Sequence, residues 1–129
     1  MNSSFVDRMF SKINSNYYNK KFSITILYSK NCEKILEILY QEGYIANYFV
    51  NNKKTIDIFF KYTHNKPIFK KILKISKTHK QNVYLGVKDI QKQIFSFRLG
   101  LITTSKFGII TLDEALLRNI GGKFLCVVE

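Results

Sequence analysis

The sequence is poor in the residues that most chemistry needs. It has two cysteines, two histidines, one proline, no tryptophan and only 9 acidic residues in 129. Cys32 and Cys126 lie far apart, with no metal-ligand spacing around either, which argues against a zinc site or a structural disulfide. His64 and His79 both fall in lysine-rich polar stretches without a spaced acid or nucleophile, so neither suggests a triad or a metal centre. No P-loop or dinucleotide fingerprint occurs. No run approaches the ~18 apolar residues of a membrane span. The start, MNSSFVDRMFSKINSNYYNKK, lacks both the apolar core of a signal peptide and the acid-free character of a transit peptide. The expectation is a chain complete without a presequence, made in the compartment where it works. Lys greatly outnumbers Arg, and Asn, Ile, Phe and Tyr abound. That bias reads as A+T-rich coding DNA, a character of organellar genomes.

What is present is apolar substance and positive charge. With 46% hydrophobic residues the chain buries a core as one compact domain or two small ones, and disorder is not its default. Its net charge of +12, from 21 Lys+Arg, is self-repelling unless an anionic partner relieves it. Between Asp57 and Asp89 no acid occurs, while Lys61, Lys66, Lys70, Lys71, Lys74, Lys77 and Lys80 do. In an ordinary protein such a strip is a solvated face; here the overall charge favours a polyanion bound through counterion release.

Periodicity predicts a helix over 3–16, with Phe5, Met9, Phe10 and Ile13 at helical spacing, then a strand on Phe22, Ile24, Ile26 and Tyr28. Ser29 or Asn31 caps a second helix through Gln41, with Ile35, Leu36, Leu39 and Tyr40 facing inward and Gly43 as its stop. Tyr44 to Val50 and Thr55 to Tyr62 pair as a hairpin around Asn51-Asn52-Lys53-Lys54. His64 to Pro67 is the expected boundary between two lobes, 1–64 and 65–129. Residues 68–75 suit a helix and a strand equally. Val83 to Val87 and Phe95 to Thr103 read as strands around a polar link, and Ile109-Ile110 as a brief one. Thr111-Leu112-Asp113-Glu114 is a capping box, in which Thr satisfies one free helix N–H and Glu reaches back to another; it opens a helix over 112–119. Gly121-Gly122 turns the chain into a last strand over 123–128. The fold class is α+β, a helix-strand-helix-hairpin lobe followed by a mostly β lobe with a short helix.

Two features could carry recognition. Thr103-Thr104-Ser105-Lys106 puts three hydroxyls beside a cation before Gly108, small groups that reach ribose, phosphate and base edges, although a hydroxyl-rich strand end is commonly a plain turn. Gly121-Gly122-Lys123 offers a second backbone site for close approach. Arg118 suits a phosphate contact or the dipole at its helix end. Most of the 8 Tyr and 11 Phe must fill the core, with Tyr84 the preferred exception for stacking on bases. Cys32, at a helix start, reads as an inert thiol rather than an activated one.

Thr103 to Lys106, Gly108, Ile110-Thr111, Glu114-Ala115, Gly121-Gly122-Lys123 and Cys126-Val127 together resemble the C-terminal signature of the small-subunit ribosomal protein eight (S-eight) family, S-T-S-K-G, T, E-A, G-G-E and an apolar strand. Glu42-Gly43-Tyr44-Ile45 is similar to that family's E-G-F-I, Ile75-Ser76-Lys77 and Val83-Tyr84 to its V-S-R and R-I-Y, and Met9 to Ile13 to its M-L-T-R-I, so the resemblance spans nearly the whole chain. The departures are Phe107, inserted before Gly108, a longer Thr78 to Gln81 loop where the family has Pro-Gly, unmatched Arg8, Asn14 and Ser15, Lys123 where the family has Glu, and a final Glu129 in place of an aromatic. The resemblance implies a structural constituent of the small ribosomal subunit that binds the central domain of its RNA, with neighbouring ribosomal proteins as partners and with no enzymatic activity, metal, cofactor, membrane or small-molecule substrate. It favours a strand for 68–75. It implies RNA contact by Thr103, Thr104, Ser105 and Lys106, close approach at Gly121, Gly122 and Lys123, a loop braced by Glu114 with Thr111, and weaker contacts at Tyr84, Ser11 and Lys12. Composition and the missing presequence point to an organelle-encoded protein of the mitochondrial matrix before a plastid or an A+T-rich bacterium. The rivals are a peripheral membrane protein, using Lys66 to Lys80 as a basic amphipathic helix, and a small RNA-processing factor.

Overall fold

Val6, Met9, Phe10, Ile13 and Tyr17 repeat at helical spacing and are all buried, the apolar stripe that makes Ser3–Tyr18 the first helix, α1. The computed structural model describes residues 3–75 and 83–129. Their contacts divide the chain into two units, Met1–Lys71 and Ile72–Glu129.

In the first unit, β1 (Ser23–Leu27) follows α1 and alternates, with Ile24 and Ile26 buried and their neighbours exposed. Phe22 lies before the strand and is exposed, not part of its buried face. The second helix, α2 (Lys30–Gln41), is capped by Ser29, whose Oγ accepts from Cys32 N at 3.1 Å. Ile35, Leu36 and Leu39 face inward; Tyr40, expected with them, is 45% exposed at the helix end and meets Tyr48 edge-on. Strands β2 (Ile45–Asn51) and β3 (Thr55–Phe60) form the expected hairpin, with Asn52 and Lys53 at positive φ in its turn, and β3 runs between β1 and β2 in an antiparallel sheet. α1 packs beside β1, and α2 beside β2.

His64 and Asn65, expected to separate two lobes, instead sit at positive φ in a tight turn joining β4 (Tyr62–Thr63) to β5 (Lys66–Pro67), inside the first unit. Tyr17 fastens this miniature hairpin. Its hydroxyl donates to the Lys61 carbonyl at 2.7 Å and accepts from Ile68 N at 2.6 Å, while its ring stacks on Phe69 with centroids 4.6 Å apart. Contacts thus hold the chain to the first unit as far as Lys71, seven residues beyond the end expected at His64.

The second unit is a sheet built around its last strand. Of residues 68–75 only β6 (Ile72–Lys74) is extended, as the family resemblance favoured over a helix. Next come β7 (Tyr84–Leu85) and α3 (Val87–Gln93). This helix lies where the sequence suggested a polar link, because it buries only Ile90 and shows too few apolar positions for a period; the Gly86 N–H donating to Asp89 Oδ2 at 3.1 Å marks its start. Residues 95–98, expected in a strand, lie outside one, and β8 is Leu99–Thr104. Then follow β9 (Gly108–Thr111), α4 (Leu112–Leu117) and β10 (Gly122–Val128). The order is β6-β10-β8-β9, all antiparallel, with β7 also on β10 and a bulge in β10 between Phe124 and Cys126. Leu85, Ile90, Ile102, Ile110, Leu112, Ala115, Phe124 and Val127 form the core beneath α3 and α4.

Candidate nucleic-acid interface

Thr103 and Thr104 end β8, Ser105, Lys106 and Phe107 make the turn, and Gly108 opens β9 at φ +71°, a conformation that suits glycine. The three hydroxyls of this segment are not equivalent. Thr103 and Ser105 are exposed, as is Lys106. Thr104 is only 7% exposed; its Oγ1 accepts from Phe107 N at 2.9 Å and donates to the Gly108 carbonyl at 3.0 Å. Its hydroxyl closes the turn instead of facing outward, a side-chain bond replacing a backbone one.

Pairing brings distant residues onto one line. Lys123 of β10 is opposite Thr103 on β8 and opposite Tyr84 on β7. Directly opposed residues of antiparallel strands project from the same face. All three are exposed, Tyr84 at 68%, so a hydroxyl, an ammonium and a phenol share one rung across three strands.

The two glycines beside this rung serve the sheet itself. A Cβ on Gly121 would fall 2.3 Å from the Leu85 carbonyl oxygen, and one on Gly122 would fall 2.6 Å from that of Thr103. Close approach is thus required here by β7 and β8. The turn is made by Asn119, at φ +56°, while Gly122 already belongs to the strand.

Thr111 caps α4 as expected, its Oγ1 accepting from Glu114 N at 3.1 Å. The other half of the expected box is redirected: the Glu114 carboxylate accepts from Arg118 Nε at 2.9 Å. The Arg118 guanidinium carbon in turn lies 4.2 Å over the Phe107 ring. Glu114 therefore reaches the turn through Arg118, a chain of contacts that sequence reasoning missed; the unmatched Phe107 beside the hydroxyls was its one visible sign.

Ser11 and Lys12 lie on α1 in the first unit, both exposed, and Lys12 Nζ donates to the Thr25 carbonyl. Lys61, Lys66, Lys70 and Lys71 of the basic strip are exposed in that unit as well, whereas Lys74 lies half-buried on β6. Lys77, Lys80, His79 and the Thr78 to Gln81 loop are outside the described residues. The described part of 66–80 contains strands β5 and β6 and no helix, against the amphipathic-helix alternative. No described helix is long and apolar enough to cross a membrane. Among the described residues no cluster of His, Cys, Asp and Glu could hold a metal ion. Both thiols are buried and free; burial raises that of Cys32, despite its helix start, and pushes that of Cys126 up to about 12.

A model of the family described as Ribosomal protein S8 matches residues 5–128. Among curated proteins, "Small ribosomal subunit protein uS8" of Dictyoglomus thermophilum is 36% identical over 109 residues, covering 82% of each chain. That of Brucella anthropi is 32% identical over 92% of this chain and 91% of its own. "Small ribosomal subunit protein uS8m" of Acanthamoeba castellanii is 33% identical over 128 residues, 98% of this chain and 99% of its own. Matched from its first helix to its last strand, this chain belongs to the Ribosomal protein S8 family.

Proposed function

We propose that the chain is a structural constituent of the small ribosomal subunit that binds the central domain of small-subunit RNA, supports subunit assembly and translation, and catalyses nothing. The observation that carries this reading is the Tyr84–Lys123–Thr103 rung beside the Ser105-Lys106 turn. Hydroxyls and a cation on a firm sheet suit the ribose and phosphate of an RNA helix, where shape and 2′-hydroxyls dominate recognition. Thr103, Ser105, Lys106, Lys123 and Tyr84 make the contacts, with Thr104, Thr111, Glu114 and the two glycines holding the surface that presents them. The remaining excess of a +12 chain adds salt-dependent attraction, to which Ser11, Lys12 and the exposed lysines of the first unit contribute. Neighbouring small-subunit proteins complete the partners.

The ribosome in question is mitochondrial and the chain organelle-encoded. The A+T-like composition supports this, together with the resemblance to the Acanthamoeba protein over nearly the full length of both chains. Co-sedimentation with small ribosomal subunits from purified mitochondria tests assembly and location together; recovery only in the ribosome-free fraction would sink the reading. Binding to a central-domain fragment of small-subunit RNA tests the contact itself. It is expected to be tight, selective over unrelated duplex, weaker at high salt and accompanied by no cleavage or modification. RNA turnover lost on substitution of His64 or His79 would instead establish an enzyme.

A further inference from the structure

We propose that Phe107 and Arg118 form a stacking platform for an unpaired RNA base at the edge of the hydroxyl turn. The inference rests on the RNA-binding reading above and adds an element that the hydroxyls do not supply. Phe107 fills no core: it is 36% exposed in a turn otherwise made of the polar Ser105 and Lys106. Its backbone is fixed by the Thr104 hydroxyl, which accepts from its N–H, so the loop determines where the ring stands. Over that ring lies the Arg118 guanidinium, 4.2 Å from the centroid, with Lys106 Nζ farther off at 5.9 Å. Glu114 takes the Arg118 Nε at 2.9 Å.

Two restraints of different kinds thus hold one side chain, a ring 4.2 Å from its guanidinium carbon and a carboxylate on its Nε. A cation meant only to attract phosphate needs neither. Glu114 offsets part of its charge, and an ammonium on a flexible stem answers a phosphate from many directions. What the arrangement preserves is the plane. With the Phe107 ring beneath the guanidinium, Nε occupied and the side chain still 44% exposed, Arg118 keeps its solvent side and its remaining N–H donors available to a planar base. Stacking on guanidinium planes and hydrogen bonding at base edges are how unpaired RNA bases are held. Because the side chain is ordered beforehand, less rotamer entropy is lost on binding.

The test is equilibrium binding of the full chain to a central-domain fragment of small-subunit RNA across a salt series, for Phe107→Ala, Phe107→Tyr, Arg118→Ala and Arg118→Lys. Stacking predicts losses on the order of tenfold for Phe107→Ala and for Arg118→Lys. The salt slope should be unchanged in both, since neither removes a charge. Phe107→Tyr should restore affinity, and among RNAs carrying single abasic replacements of unpaired nucleotides, one should abolish the difference between wild type and Phe107→Ala. Full affinity in Arg118→Lys, or in Phe107→Ala, overturns the platform. So does a Phe107→Ala defect that persists against every abasic RNA, which would trace it to a weakened turn. Wild-type protein that fails to bind the fragment would sink the RNA-binding reading itself, whereas wild-type binding with an indifferent Phe107 sinks only the platform.

Discussion

Lys123 pairs across the sheet with Thr103, and the other side of the same residue pairs with Tyr84. Adjacent strands are about 4.8 Å apart, so the outer two residues of the rung are separated by about 10 Å at the backbone, within the reach of one groove edge or a few nucleotides. Lys123→Ala is expected to weaken binding to the central-domain RNA and to reduce the salt slope by about one. Tyr84→Ala should weaken it with the slope unchanged. Binding isotherms at several salt concentrations separate the two, and equal slope changes would count against the rung as a mixed site.

Thr104→Ala removes the hydroxyl that both accepts from Phe107 N and donates to the Gly108 carbonyl. Loss of a largely buried pair of bonds should cost about 1–3 kcal/mol of stability. Ser105→Ala, at an exposed position, should cost almost nothing in thermal unfolding and appear only in RNA affinity. Combined, the two changes should weaken RNA binding far more than Lys53→Ala with Lys54→Ala in the β2–β3 turn. Equal losses would mean that charge, rather than the loop, carries recognition.

Gly121→Ala would place a methyl 2.3 Å from the Leu85 carbonyl oxygen, a backbone atom with little room to yield. Overpacking of this kind costs about 1–3 kcal/mol, and here it would part β7 from β10. A fall in the urea midpoint, with Tyr84 losing its contribution to RNA binding, is the expected outcome. Unchanged stability would show that the two strands are not held this closely.

Cys126 is buried with its thiol pushed up to about 12, so the folded chain retains a proton that the unfolded chain releases from about pH 8.5 upward. The sign follows directly: this contribution to stability is fully present below about pH 8.5 and is lost as pH rises toward about 12. Cys126→Ser should flatten the alkaline decline in unfolding free energy relative to wild type. In native protein near pH 8 a disulfide reagent should modify neither Cys32 nor Cys126, both buried, until urea opens the chain.

Much of the molecule was legible from residue order because local physics fixes it. The apolar stripe of α1, the alternation of Ile24 and Ile26, the Asn-rich turn before Thr55 and the Thr111 cap each act within a few residues, and each stands where periodicity and turn chemistry predict. What escaped depends on partners distant in sequence. The α3 helix shows one buried position, too little for a period, and is held by packing against α4. His64 and Asn65 look like a linker until Tyr17 binds the chain on either side of them, at Lys61 and Ile68.

The candidate site divides in the same way. Sequence alone determined its chemistry: a +12 chain with nine acids, three hydroxyls in a row beside Lys106, and two glycines before Lys123. Only tertiary structure assigned the parts. Strand register placed Tyr84, Lys123 and Thr103 on one rung, burial turned the Thr104 hydroxyl inward, and helix geometry carried Arg118 over Phe107 with Glu114 behind it. Composition and pattern act through each residue's own preferences, whereas pairing register and burial are fixed by the whole sheet at once. For that reason the residue types could be read in advance, and their partners could not.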